Sequence, residues 1–162
     1  MKKSIYIFLL LFSVSLNGQS IKKLLKKHNT ESVEYAYVDK TKANSDVILL
    51  DARELKEFNV SHIKNAIHVG YDHFNLEKTT TKLTDKNATV IVYCSVGIRS
   101  EDIAEKLQKA GYKNVFNLFG GIFEWKNKRN TVVDSNNNPT EKVHTFSKEW
   151  SKWLKKGVKV YE

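Results

Sequence analysis

Cysteine is nearly absent from this sequence, since Cys94 is the only one among 162 residues. One cysteine cannot pair within the chain, which excludes an intramolecular disulfide framework. Proline is equally scarce: the only one, Pro139, ends the segment SNNNP and predicts a turn there. The chain also lacks internal repeats, which excludes a repeat architecture. Its 41% of hydrophobic residues are enough for one domain with its own core.

Acidic residues are in short supply, with 18 Asp and Glu against 27 Lys and Arg and a formal net charge of +9. The basic residues are spread along the chain, and no basic helix or interleaved set of aromatic residues is present. We therefore expect no nucleic-acid partner. Most of these charges fit a solvated surface, and their excess also favours a small anionic substrate or an anionic membrane surface.

The apolar run near the N-terminus is too short to span a bilayer comfortably. It reads IYIFLLLFSVSL over residues 5–16, after the basic MKKS and before the small and polar NGQS. This order is typical of an export signal, here residues 1–20. We expect an exported protein, periplasmic or secreted, with no stable membrane insertion after cleavage. An uncleaved N-terminal anchor is the alternative.

Apolar runs alternate with helical patterns over the middle of the chain. Two compact runs fit strands buried on both faces of a parallel sheet. These are DVILLDAR (46–53) and TVIVYC (89–94), and NVFNL (114–118) predicts a further strand. The helical patterns are ELKEFN (54–59), SEDIAEKLQKAG (100–111) and GGIFEWKNK (120–128). Ser100 is the expected N-cap of the longest helix. The alternation predicts an α/β domain with a mostly parallel sheet.

The two flanking segments differ in composition from this middle region. Residues 21–42 are polar, and we expect them to form a lead-in to the domain. Residues 130–162 are expected to form a C-terminal extension packed on the domain. Within it, Phe146, Trp150, Trp153 and Leu154 recur at helical spacing, which predicts a helix over 143–157 that buries its aromatic side chains. A partner-binding or membrane-facing helix is the alternative.

Cys94 lies where a predicted parallel strand ends and a helix soon begins. Ligands of open α/β sheets bind beyond the carboxyl ends of the strands. A loop this tight, with Gly97 in it, can turn several backbone N–H groups inward as a nest for an anion. The helix N-terminus and Arg99 add positive charge, which favours thiolate over thiol. The pattern predicts a nucleophilic Cys94 that handles an anionic substrate; a buried structural cysteine is the alternative.

Four motifs in order resemble those of the rhodanese-type sulfurtransferases. CSVGIRS is similar to the active-site loop of that family, and VILLDAR resembles its strand that ends in Asp-x-Arg, here Asp51 and Arg53. EFNVSHIKNAIHV resembles its Glu-Phe then Gly-His-Ile-Pro-Gly-Ala-Ile segment, although Ser61, Lys64 and Asn65 depart from it. AGYKNVFNLFGGIFEW is similar to its closing Gly-Gly-Ile and Trp segment. The resemblance covers residues 43–129.

The resemblance implies a fold, a rhodanese-like three-layer domain over 43–129 with a five-stranded parallel sheet flanked by helices, plus a C-terminal helical extension. It also implies a sulfurtransferase. The Cys94 thiolate would take a sulfane sulfur from a small anionic donor such as thiosulfate and pass it, as a persulfide, to cyanide or a thiol. No metal or other cofactor is implied.

The resemblance also assigns roles to particular residues. The implied substrate-binding residues are those of the loop: Ser95, Val96, Gly97, Ile98, Arg99 and Ser100. Asp51 and Arg53 are expected to support the site, either by adding charge near it or by bracing a loop through a salt bridge.

Three other interpretations compete with sulfur transfer. A non-turnover sulfur carrier, redox-sensing or binding module stays open, because rhodanese-like domains can lose catalysis, although they usually lose the cysteine as well. In the related phosphatase loop five residues separate Cys from Arg, whereas four separate Cys94 from Arg99, so we expect no phosphatase. His62, His68 and His73 match no compact ligand spacing, so we expect no metal site.

Overall fold

The structure, a computed structural model, describes residues 20–161 and has a parallel sheet of five strands at its centre. The predicted export signal lies outside the described residues apart from Ser20. The strands of the sheet are β1 (Tyr35–Ala36), β2 (Ile48–Asp51), β3 (Ile67–His68), β4 (Thr89–Tyr93) and β5 (Asn114–Leu118), in the order β1-β5-β4-β2-β3. The predicted α/β fold with a five-stranded parallel sheet is confirmed.

Helices cover both faces of this sheet. They are α1 (Ile21–His28), α2 (Val38–Ala43), α3 (Leu55–Val60), α4 (Leu76–Thr80), α5 (Arg99–Lys109) and α6 (Gly121–Asn127). The position of β4 at the centre of the sheet explains why its sequence is VIVY from residue 90 to residue 93, all four of them buried. Val90 and Val92 pack into one core cluster with α5, while Ile91 and Tyr93 pack into the other with α6. A strand that is buried on both faces has no side for polar residues.

The sheet begins before residue 43, within the segment expected to be a lead-in. Strand β1 pairs with β5 in parallel, and Tyr35 lies opposite Asn117. Only two residues of this edge strand pair, and the one signal for it in the sequence is the weak alternation of VEYAYVD (33–39), which fits a short strand. The lead-in segment thus supplies both an edge strand and the helix α1.

The C-terminal extension is mostly not helical, so the prediction of a helix over 143–157 is wrong. It contains β6 (Val132–Val133) and β7 (Pro139–Thr140), joined through the predicted turn, and the parallel pair β8 (Lys142–His144) and β9 (Val158–Val160). Within residues 130–161, only Trp150–Trp153 is helical, as a single 3-10 turn. Phe146 adopts a left-handed backbone with φ 65°, which no helix accommodates.

The extension nonetheless packs on the domain. Val143, Trp153 and Leu154 are buried in the same cluster as Ile122 of α6. Among residues 20–161, no helix combines the length and the apolar character needed to cross a membrane.

Candidate active site

The loop after β4 holds Cys94 at the carboxyl end of the central strand. The backbone N–H of Gly97 donates to Cys94 Sγ at 3.2 Å, and Gly97 has φ 109°, a conformation that favours glycine. Helix α5 begins at Arg99, with Ile98 at the N-cap position. The prediction that Ser100 caps this helix is wrong: its hydroxyl lies in the first turn, 3.5 Å from Cys94 Sγ.

Asparagine side chains hold this loop in place from neighbouring elements. Asn117, buried on β5, donates from Nδ2 to the carbonyl oxygen of Gly97 at 2.8 Å, and Asn29 donates to the same oxygen at 2.8 Å. The Ser100 hydroxyl donates to Asn117 Oδ1 at 2.7 Å. The sequence reasoning missed both asparagines, although a polar Asn117 inside a strand predicted to be apolar was a usable signal.

Helix α6 supports the loop from the other side. The backbone N–H groups of Ile122 and Phe123 donate to the carbonyl oxygens of Cys94 and Ser95, at 2.9 and 3.1 Å. Gly121, with φ 52°, lies so close that a Cβ atom there would overlap the Cys94 carbonyl oxygen. Glycine at position 121 is therefore required for the position of the cysteine.

Arg99 is bound to a buried carboxylate that the sequence reasoning did not single out. Its Nη1 donates to Glu57 Oε2 at 2.8 Å and its Nη2 to Glu57 Oε1 at 2.9 Å. Ser95 completes the group, since its hydroxyl donates to Glu57 Oε1 at 3.2 Å and accepts from Arg99 Nη2 at 3.1 Å. Burial raises the pKa of Glu57, but the hydrogen bonds and charge of Arg99 outweigh it, and the pKa is lowered overall.

The surroundings of Cys94 favour its thiolate. Burial alone raises the pKa of the thiol, because a charged sulfur loses its hydration. The positive charge of Arg99 and the hydrogen bonds from Ser100 and Gly97 act in the opposite direction and prevail, so the pKa of Cys94 is lowered. A thiolate is the nucleophilic form of cysteine.

A pocket of about 220 Å³ opens in front of Cys94. Five of the predicted site residues line it, namely Cys94, Ser95, Val96, Ile98 and Arg99, together with His28, Phe146 and Trp150. The other two predicted loop residues, Gly97 and Ser100, contact Cys94 Sγ through the hydrogen bonds described above. The sequence reasoning missed His28, Phe146 and Trp150 because they come from α1 and from the extension, far from Cys94 in the chain.

Asp51 and Arg53 form a buried ion pair, with Arg53 Nη2 2.6 Å from Asp51 Oδ2. The same Nη2 donates to the carbonyl oxygen of Ser61 at 2.7 Å, which ties the end of β2 to the segment after α3. Neither side chain lines the pocket in front of Cys94. Of the two supporting roles expected for them, the contacts correspond to the loop-bracing salt bridge.

The histidines considered as metal ligands have other neighbours. His62 stacks on Phe58 with ring centroids 3.9 Å apart, and His68 Nε2 lies 2.9 Å from the carbonyl oxygen of Arg53. Among residues 20–161, no three His, Cys, Asp or Glu side chains are grouped so as to hold a metal ion.

Comparisons with known proteins agree with this architecture. The family model of the rhodanese-like domain matches residues 34–128. A thiosulfate sulfurtransferase GlpE of Coxiella burnetii is 36% identical over 93 residues, which are 57% of this chain and 83% of that protein. A tRNA uridine(34) hydroxylase of Aster yellows witches'-broom phytoplasma is 37% identical over 84 residues, 49% of this chain and 27% of that longer protein.

Solved structures show the same fold. A rhodanese-related protein of Thermoplasma volcanium has a TM-score of 0.54 at 25% identity and covers 62% of this chain and 97% of its own. A thiosulfate sulfurtransferase of Pseudomonas aeruginosa has a TM-score of 0.58 at 20% identity, over 75% of this chain and 23% of its own. The family model spans more than half of the sequence and includes the whole Cys94 loop, so the chain belongs to the family of rhodanese-like domains.

Proposed function

We propose that the protein is a sulfurtransferase that moves a sulfane sulfur from a donor such as thiosulfate to a thiol or cyanide through a persulfide on Cys94. One observation carries the proposal. Cys94 lies at the base of a pocket, its sulfur accepts hydrogen bonds from Gly97 and Ser100, and the Arg99 cation lowers its pKa against the effect of burial. The similarity to the sulfurtransferase of Coxiella burnetii supports the same reaction.

The reaction has two steps, each a displacement at sulfur. In the first, the Cys94 thiolate attacks the outer sulfur of thiosulfate. A bond forms between that sulfur and Cys94, the sulfur–sulfur bond of the donor breaks, and its electron pair leaves with sulfite. In the second, cyanide or a thiolate attacks the outer sulfur of the persulfide and leaves as thiocyanate or a new persulfide. Cys94 returns as a thiolate, so neither step requires a metal or an electron carrier.

The groups around Cys94 suit both the thiolate and the persulfide. The backbone N–H of Gly97 and the start of α5 direct partial positive charge at the sulfur position. These donors are fixed by the asparagines and by α6 before any substrate arrives, and preorganised donors lower the cost of developing negative charge.

The test is the intact mass of the protein before and after incubation with thiosulfate, with an organic thiosulfonate in parallel and Cys94→Ser as the control. We expect a gain of one sulfur atom that the variant lacks and that cyanide reverses. If no donor adds sulfur to Cys94, the proposal is wrong. If sulfur is added but passes to neither cyanide nor thiols, the alternative role as a carrier or sensing module is favoured.

We also propose that the chain is exported, on the strength of the basic MKKS, the apolar residues 5–16 and the small and polar NGQS. The measurement is the intact mass of the protein recovered from each cell fraction. A product shortened by about 20 residues outside the cytoplasm is expected. A full-length chain confined to the cytoplasm would contradict export.

A further inference from the structure

The pocket in front of Cys94 has an unusually apolar lining for a site that handles inorganic anions. Val96 and Ile98 of the loop form one part of the wall, and Phe146 and Trp150 of the C-terminal extension form another. Its volume of about 220 Å³ leaves room for more than a few atoms beside the sulfur. Pockets with this lining bind ligands chiefly through apolar contact, while a few polar groups set orientation.

Phe146 is the most informative of these wall residues. Phe146 is 52% exposed although it lies at the pocket. Its backbone is left-handed, and its N–H donates a hydrogen bond to His144 Nδ1 at 3.0 Å. The guanidinium carbon of Arg99 lies 5.5 Å from the ring centroid. A ligand with an apolar body would cover the exposed part of this ring, and burial of apolar surface favours binding.

The pairing of Arg99 with Glu57 reduces the positive charge that Arg99 can offer to a dianion beside Cys94. The guanidinium of Arg99 is bound at two points to Glu57 and at a third to Ser95. The charge of Arg99 is therefore offset by a carboxylate, and a Cys94 thiolate leaves the group of three with one net negative charge. A donor with two negative charges meets about twice the repulsion that a singly charged donor meets.

One part of the apolar wall lies outside the residues that match the family model. That match ends at residue 128, whereas Phe146 and Trp150 belong to the extension. The extension therefore adds a surface to the pocket that the matched domain alone does not supply.

We infer that the preferred donor is an organic sulfane-sulfur compound, a thiosulfonate or persulfide whose sulfur carries an aromatic or alkyl body, rather than thiosulfate. This inference rests on the proposed function. With a thiosulfonate, the Cys94 thiolate attacks the outer sulfur, the bond to the sulfonyl sulfur breaks, and its electron pair leaves on a sulfinate. With an organic persulfide the leaving group is the thiolate. In both cases the apolar body lies against Phe146 and Trp150.

Two probes with the same reacting group isolate the apolar contribution. Benzenethiosulfonate and methanethiosulfonate are both monoanions and release a sulfinate, but only the first carries a ring. The quantity to measure is the ratio of their kcat/KM values, divided by the ratio of their rates with free cysteine. We expect a corrected ratio of at least about 10, since a well-placed apolar group contributes this much discrimination, and a lower kcat/KM for thiosulfate than for either.

A variant of the wall tests where the preference arises. Phe146→Asn removes the ring and suits the left-handed backbone, because asparagine tolerates positive φ. We expect it to lower the corrected ratio at least about threefold, since much of the apolar wall is lost. Tyr161→Ala removes another exposed aromatic side chain of the extension and should leave the ratio unchanged. The extent of unfolding in urea, measured for both variants, excludes loss of the fold as the cause.

The outcomes separate this inference from the proposed function. A corrected ratio near one, or a ratio that Phe146→Asn does not lower, overturns the inference while persulfide formation on Cys94 still stands. A higher kcat/KM for thiosulfate than for the ring-bearing probe overturns it as well. Absence of a Cys94 persulfide with every donor overturns the proposed function itself.

Discussion

Arg99 is joined to Glu57 by two hydrogen bonds, from Nη1 to Oε2 at 2.8 Å and from Nη2 to Oε1 at 2.9 Å. The pair connects the first turn of α5 to α3. Glu57 is completely buried, whereas part of the Arg99 side chain reaches the pocket. Because the charge of Arg99 also lowers the pKa of Cys94, the ion pair couples the packing of α3 to the ionisation of the sulfur.

Arg99→Gln should raise the pKa of Cys94. Burial already raises this pKa, and the charge of Arg99 is the largest influence that lowers it. When Arg99 is removed, the effect of burial is offset less, and the pKa rises. The measurement is the rate of alkylation by iodoacetamide as a function of pH, whose midpoint should move upward. The matched control is Arg129→Gln on the exposed surface, for which the midpoint should stay in place. An unmoved midpoint in Arg99→Gln contradicts this account of the thiolate.

Glu57→Gln should remove a part of the acid sensitivity of the fold. Burial raises the pKa of Glu57, but Arg99 lowers it by more than burial raises it. The pKa of Glu57 is therefore lower in the folded state than in the unfolded state. Such a group stabilises the fold above its unfolded pKa of about 4.3, and this contribution is lost as pH falls through the folded value. The free energy of unfolding in urea should therefore differ most between wild type and variant near neutral pH.

The difference near neutral pH should be about 2 kcal/mol or more, because the variant leaves the charge of Arg99 without its carboxylate partner. It should shrink as the pH falls below about 4. Parallel curves for the two proteins over this range would show that Glu57 is not ionised in the way proposed.

The core of the site could be predicted from the sequence because its signals are local. About twenty consecutive residues contain the run VIVY, Cys94, Gly97 and the helix that follows. The burial of the strand, the geometry of the loop and the position of the helix all follow from such short-range patterns. The five-stranded sheet followed from the alternation of strands and helices together with the family resemblance. Its edge strand β1, with only two paired residues, left only the weak alternation of VEYAYVD (33–39), which is compatible with a short strand.

The rest of the site could not be predicted because it depends on long-range contacts. Glu57 lies in a short helix that the sequence predicts, but nothing local shows that its side chain reaches Arg99. The aromatic residues of the extension recur at helical spacing, yet the left-handed backbone at Phe146 is incompatible with a helix there. Phe146 and Trp150 line the pocket instead. Spacing in a sequence does not show where tertiary packing overrides local preference.

Gly121→Ala should destabilise the protein more than Gly111→Ala does. Both glycines have positive φ, so both variants lose about 1 kcal/mol from backbone strain. At Gly111 the added Cβ meets only the flexible end of Lys86 at 3.4 Å, whereas at Gly121 it overlaps the backbone carbonyl of Cys94. We expect a total loss of about 3 kcal/mol for Gly121→Ala, measured by urea unfolding.

The rate of Cys94 alkylation should also change in Gly121→Ala and not in Gly111→Ala, because the overlap displaces the cysteine loop. Equal losses of stability in the two variants would mean that the approach of α6 to this loop is not required.

The extension should contribute to stability through Trp153 more than through any exposed aromatic residue. Trp153 is only 5% exposed and packs into the cluster that includes Val143, Leu154 and Ile122 of α6. Trp153→Ala should lower the free energy of unfolding by about 3 kcal/mol, the usual cost of removing a large buried side chain. Tyr161→Ala is the matched control, since this ring is exposed and its loss should cost about 0.5 kcal/mol or less.

Deletion of residues 143–162 should lower the melting temperature for the same reason, because it uncovers the apolar surface under Val143, Trp153 and Leu154. An unchanged melting temperature would mean that the extension is not part of the folded core, and it would favour a tail that binds a partner. The deletion also removes Phe146 and Trp150 from the pocket. Stability and donor preference should therefore be lost together in the deletion. Phe146→Asn should change donor preference with a smaller loss of stability, because about half of the surface of Phe146 is already exposed.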